Sequence, residues 1–143
     1  MQYVALTEIT TALKARLEAL GIFLDVRIAA LTSYQNLFEM LPDLATFPAA
    51  VISIGNIDFE EAAVIKDNEV SILLIDKFQT STESAQSIYE IIDATSKSLT
   101  ADTPGNSLKI AGVHLLPINF RPIEVDGTHS TFQFTLKTTG GFI

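Results

Sequence analysis

The chain has 143 residues, 48% hydrophobic and 18% charged, which supplies one domain with a real core and argues against disorder over most of its length. Seventeen acidic residues against nine basic ones give a net charge of −8. Counterion release needs clustered Lys and Arg, so specific nucleic-acid binding is disfavoured. With no cysteine, disulfides, thiolate metal sites and thiol catalysis are excluded together.

The first eight residues, Met1-Gln-Tyr-Val-Ala-Leu-Thr-Glu8, lack the basic region and cleavage site of a signal peptide. No apolar run approaches the roughly 20 residues of a membrane span, and Ile72-Leu-Leu-Ile75 falls far short. The expectation is a soluble protein made and used in the cytoplasm, with no membrane partner.

Leu6, Ile9, Leu13, Leu17 and Leu20 fall on one helical stripe, and Gly21 is placed to end that helix. Ile22 to Ala30 reads as a strand. A short helix follows from Tyr34 to Leu41, with Ser33 as N-cap and Pro42 just past its end. Ala49–Ile57 and Val70–Phe78 are β-rich runs, apolar on both faces at their centres, as in a sheet covered on each side. Gly55 inside the first marks a bulge. Between the two runs lies an acidic stretch, Asp58 to Glu69, longer than the usual hairpin loop of about 2–5 residues. It reads as a long connection that is mobile in the isolated subunit.

Thr80-Ser-Thr-Glu-Ser84 starts a helix whose buried stripe is Ala85, Ile88, Ile92, Thr95 and Leu99. Asp102-Thr-Pro-Gly-Asn106 is a turn. The last third is a long hairpin turning at Asp126-Gly127. On its second strand Phe132, Phe134 and Leu136 alternate with Thr131, Gln133, Thr135 and Lys137, so the three apolar groups face the subunit's own helices. Its first strand carries Pro117 and Pro122, which cannot donate to a ladder and favour a sheet edge or a bulge. An edge strand of that length is a template for pairing with another chain. Gly140-Gly141 reads as a flexible tail. The order is α-β-α-β-β-α-β-β in a single domain over 1–143: an α+β fold, a small mostly antiparallel sheet with helices packed on it.

The chemistry-bearing residues are sparse. His114 and His129 are the only histidines, too far apart for a zinc site of three or four ligands. His114 shares the alternation of Leu116, Ile118 and Phe120 as a core or interface imidazole, and His129 is solvated beside the turn. Asp58, Glu60, Glu61, Asp67 and Glu69 lack the glycine and spacing of a calcium loop. No nucleophile elbow, phosphate loop or dinucleotide fingerprint occurs. The expectation is no enzyme, no cofactor and no metal. The residues expected at a subunit or partner interface are Asp58, Glu60, Glu61, Asp67, Glu69, Asn119, Arg121, Gln133 and Lys137. Arg121, one of three arginines, is the first choice for a contact between chains.

The strand Pro48-Ala-Ala-Val-Ile-Ser-Ile-Gly55, the hairpin core Leu116-Pro-Ile-Asn-Phe-Arg-Pro-Ile123 and the strand Thr131-Phe-Gln-Phe-Thr-Leu-Lys-Thr138, in this element order, resemble the tail-terminator proteins of tailed bacteriophages. The likeness is to the lambda-tail-terminator-like proteins of Mu-like phages and prophages. That resemblance implies a subunit that closes into a hexameric ring on the end of the tail tube and meets the head connector. Its partners would be further copies of itself, the tube protein, and the sheath. Such a protein would belong to the virion tail of an active prophage. Two other readings stand beside it: a small-molecule-binding α+β domain, and a different phage neck or head-tail completion protein.

Overall fold

The computed structural model describes the backbone of residues 5–44, 46–59, 65–99, 108–110 and 113–142, and the side chains of 5–44, 46–55, 69–99 and 115–137. Helix α1 spans Leu6–Ala19. Ile9, Leu13 and Leu17, spaced by four, are completely buried, each contributing roughly 1.5–3 kcal/mol of apolar burial. Thr10 lowers its cost on the same helix by donating its hydroxyl to the Leu6 carbonyl at 3.0 Å. Gly21, at φ 69°, turns the chain out of the helix in a conformation that favours glycine.

Strand β1 covers only Asp25–Ile28. The expected span of Ile22 to Ala30 is therefore too long, because pairing with the next strand is confined to four residues. Helix α2, Tyr34–Met40, is capped by the Ser33 hydroxyl, which accepts from the Asn36 N–H at 3.2 Å. Pro42 does not end the helical path, which tightens into a 3-10 turn over Leu41–Asp43. A proline in a first turn gives up no hydrogen bond.

Strands β2 (Ala49–Phe59) and β3 (Ile65–Lys77) form an antiparallel pair. Here the sequence expectation needs correction. Most of the acidic stretch from Asp58 to Glu69 is ladder, with Asp58 opposite Asp67 and Phe59 opposite Ile65. Ile57, Phe59 and Ile65 supply β-favouring positions among the acids, and alternation outweighs composition. Gly55 does sit at a bulge, where the register slips between Ile54 and Ile57.

Helix α3 runs Thr82–Leu99, with the Ser81 hydroxyl accepting from the Ser84 N–H at 3.2 Å. Ile92, Thr95 and Leu99 are its buried residues. Arg16 of α1 donates to the Ser98 carbonyl at 2.6 Å, placing a cation at the carbonyl end of α3. The turn expected at Asp102–Asn106 lies outside the described residues. Strand β4, Leu108–Ile110, is an addition to the expected order, three residues too short to show a period. Strands β5 (Val113–Ile123) and β6 (His129–Phe142) are the long hairpin. Gly140 and Gly141, expected in a tail, belong to β6, and Phe142 pairs with Ile65.

The six strands lie in the order β1-β2-β3-β6-β5-β4. Only β1 and β2 are parallel, joined across α2; every other pair is antiparallel. The fold is α+β. On one face α1 and α3 pack over Ala50, Ile52, Val70, Ile72, Leu74, Leu115, Phe134 and Leu136. On the other, α2 and the 3-10 turn cover Ala49, Val51, Leu73 and Ile75. Strands β2 and β3 are thus buried on both faces, as their unbroken apolar centres imply. Phe134 and Leu136 face the subunit's own helices, with Phe132 half-buried beside them.

Candidate functional site

The two faces of the sheet are covered unequally. Helices α1 and α3 cover the first face, but α2 has only seven residues and covers one end of the second. Beyond α2 the outward positions turn polar: Ser53 on β2, Glu69 and Ser71 on β3, Gln133, Thr135 and Lys137 on β6. Register aligns them in rows across β3, β6 and β5. Glu69 stands opposite Lys137 and Lys137 opposite Leu116; Ser71 opposite Thr135 and Thr135 opposite Asn119; Leu73 opposite Gln133 and Gln133 opposite Arg121. Five of the expected interface residues, Glu69, Asn119, Arg121, Gln133 and Lys137, are therefore gathered on one surface.

Hydrogen bonds organise that surface. The Arg121 guanidinium donates to the Tyr34 hydroxyl at 3.0 Å and to Gln133 Oε1 at 3.3 Å. The Gln133 amide donates onward to the Ser71 hydroxyl at 3.0 Å. Arg121 thereby ties α2 to both strands of the hairpin while remaining exposed. Ser53 Oγ accepts from the Leu31 N–H at 3.1 Å, fixing the segment that leads into α2. Between this segment and the sheet runs an open groove of about 500 Å³, bordered by Tyr34, Ser53, Gly55, Glu69, Ser71 and Gln133. Glu69 lies over Gly55; a Cβ on Gly55 would stand 3.2 Å from that of Glu69. A side chain there would press on the one carboxylate that borders the groove.

The polar face runs into an open edge. β4 pairs only with Val113–Leu115, so β5 from Leu116 to Ile123 has no outer neighbour among the described residues. The register slips between Pro117 and Asn119, leaving Ile118 as the extra residue of a bulge. This overturns the expected common face of Leu116, Ile118 and Phe120. Leu116 sits on the α2 side opposite Lys137, whereas Phe120 sits on the α1/α3 side opposite Phe134. All three are exposed, at 42%, 53% and 37%. Phe120 stacks on Phe132 at 5.5 Å between ring centroids and meets Phe134 at 4.5 Å. The prolines fit both expectations, an edge and a bulge.

Asp58 and Asp67 occupy facing ladder positions, and their side chains lie outside the described residues, as does that of His114. Glu60 and Glu61 are outside them altogether. Among the described residues no three His, Cys, Asp or Glu side chains stand together to hold a metal. No helix among them is long and apolar enough to cross a membrane.

One polar cluster escaped the sequence reading. His129 is not solvated: its side chain is 17% exposed, with Nδ1 2.9 Å from Asp126 Oδ2 and the ring 5.1 Å from that of Phe47. Asp126 Oδ1 also accepts from the N–H groups of Thr128 at 3.1 Å and His129 at 2.9 Å. Burial alone would raise the Asp126 carboxyl, but the His129 side chain and these two backbone donors outweigh it and hold the carboxyl below its ordinary range. An aspartate before a glycine turn, with a donor-rich Thr-His after it, is the signal that points to such a clamp.

No family model matches the chain, and no curated protein matches it. Among solved structures it is similar to a chain in the virion of a native gene transfer agent (GTA) particle. The alignment covers 97% of this chain and 98% of that one, at 14% identity and a TM-score of 0.48.

Proposed function

We propose that this chain is a structural subunit of a phage-like particle that works by assembling, and that within this class it is a tail terminator. The observation that carries the assembling role is the half-covered sheet face running into β5, where Leu116, Ile118 and Phe120 are exposed and no strand pairs beyond Leu115 among the described residues. Exposed apolar groups gathered beside an unpaired strand are costly in an isolated subunit and useful in an interface. The terminator role rests on the sequence resemblance. In that role copies close into a ring, six in the resembling family, on the end of a tail tube. The ring stops growth of the tube and presents its far side to the head connector. The net charge of −8 suits a channel wall past which DNA slides without sticking. The protein acts by shape and contact, without catalysis, in the bacterial host and then in the virion.

The groove of about 500 Å³ favours one other reading, a small-molecule-binding domain, because ligand sites commonly measure about 300–1,000 Å³. Its wide opening to solvent favours a macromolecular surface instead. The test is to add the purified chain to growing tubes of the tail-tube protein encoded in the same gene cluster, and to image them by negative stain. Rings at tube ends and arrested growth are expected. Bare ends and unchanged tube lengths refute the terminator role.

A further inference from the structure

The open groove beside α2 is bordered by one charged side chain, Glu69, among the neutral groups of Tyr34, Ser53, Ser71 and Gln133. Glu69 is half-buried and makes no hydrogen bond or ion pair with a described residue. Its carboxylate stands over Gly55, where an added Cβ would lie 3.5 Å from Glu69 Oε2. Between the pairs Ile54–Val70 and Ile57–Asn68, Gly55 and Asn56 share Glu69 as their one opposite residue. A bulge of this kind leaves backbone groups outside the ladder, and a glycine within a strand marks a place where another group comes close. Gly55 is exposed, so the groove floor beside the carboxylate is backbone open to solvent. The neighbouring cations leave that floor uncovered. Lys137 stands opposite Glu69 in the ladder but outside the groove's border. Arg121 is bonded to Tyr34 and Gln133 two rows away, roughly 13 Å along β3.

We propose that this groove receives an extended segment of a partner protein and seats a lysine or arginine side chain of that segment on Glu69. This gives the assembling role above a partner chemistry and rests on it. A half-buried carboxylate without a hydrogen bond is under-satisfied, and an ammonium or guanidinium brings it charge-assisted donors. The net charge of −8 draws a basic segment toward the chain. Arg121 turns a cation away from the other end, which fixes the basic residue at the Glu69 end. A bare amine fills a small part of about 500 Å³; the segment that carries the cation fills more, with the bulge backbone and the Ser71 hydroxyl beside its peptide groups.

The test is saturation-transfer NMR observed on three probes added to the full chain: capped Ala-Lys-Ala, capped Ala-Glu-Ala, and n-butylamine as the cation without a backbone. The lysine peptide is expected to bind, with the strongest transfer at its side-chain methylenes and with affinity falling as salt rises. The glutamate peptide is expected to give no transfer, and n-butylamine to bind more weakly than the lysine peptide. Glu69→Gln is expected to raise the Kd of the lysine peptide roughly tenfold or more, and Gly55→Ala, which fills the floor and keeps the charge, to raise it as well. Glu90→Gln, at an exposed position of α3 on the other side of the sheet, is expected to leave it unchanged. Circular dichroism confirms that each variant is folded. Absence of binding by the lysine peptide overturns the proposal, as does a Glu69→Gln effect no larger than that of Glu90→Gln. Equal binding of n-butylamine overturns the extended segment and favours a small-molecule site. Any of these results, with rings still forming on tube ends, leaves the assembling role standing. Bare tube ends together with a Glu69-dependent peptide site overturn the terminator role and leave the cation site in place.

Discussion

Replacing Phe134 by alanine tests the assignment of the hairpin's faces. Phe134 is 6% exposed, stands between Ile72 and Phe120 in the ladder, and packs into the cluster under α1 and α3. Truncation removes its buried ring surface, leaves a cavity, and strips Phe120 of a ring partner at 4.5 Å. Core Phe→Ala changes cost about 3–5 kcal/mol. That is a large share of the roughly 5–15 kcal/mol that holds a domain together. For a chain near this size each kcal/mol moves the melting temperature by about 2–4 °C, so a fall of roughly 6–20 °C is expected. Gln133, the next residue, points to the other face, and Gln133→Ala should cost about 1 kcal/mol through its lost bonds to Ser71 and Arg121. Thermal melts followed by circular dichroism, with urea titrations as a check, decide the matter. If Phe134→Ala melts within about 2 °C of the parent while Gln133→Ala falls further, the assignment of faces is inverted.

Thr131 Oγ1 is buried without a hydrogen-bond partner among the described residues, so Thr131→Val should stabilise the fold by about 1 kcal/mol, read as a higher urea midpoint at an unchanged slope. The Asp126 carboxyl is held below its ordinary value of 3.8, so its contribution is complete above that value and is lost as the pH falls through the lower folded value. Asp126→Asn should therefore flatten the decline in melting temperature below about pH 4, and an acid profile parallel to the parent's would contradict the clamp. Gly55→Val should destabilise by about 1–3 kcal/mol because the new side chain meets Glu69 at a bulge; a neutral result by urea titration would show that Glu69 swings aside freely.

Much of the fold is legible locally. The leucine stripe of α1, the Ser33 cap of α2 and the Phe132-Phe134-Leu136 alternation each depend on neighbours a few residues away, and each is present. What is not legible depends on distant partners. The parallel pairing of Asp25–Ile28 with Ala49–Ile52 is set by the crossing of α2, and no short-range period announces it. The bulge at Ile118 reverses the faces of everything after it, and two prolines five residues apart are compatible with either parity. In the acidic stretch, composition argues for a loop, but the apolar positions between the acids keep β2 and β3 paired to Phe59 and Ile65. The interface residues follow the same division. Gln133 and Lys137 can be assigned a common face from their period, whereas the convergence of Glu69 and Arg121 on that face requires the order β3-β6-β5.

Native mass spectrometry of the purified full chain, across a wide range of protein concentration, tests the central claim most directly. Assembly into a closed ring gives a single dominant mass at a fixed small multiple of 15.6 kDa, unchanged as concentration rises. A mass of one chain at every concentration contradicts the assembling role, and an unbounded ladder of multiples contradicts closure into a ring.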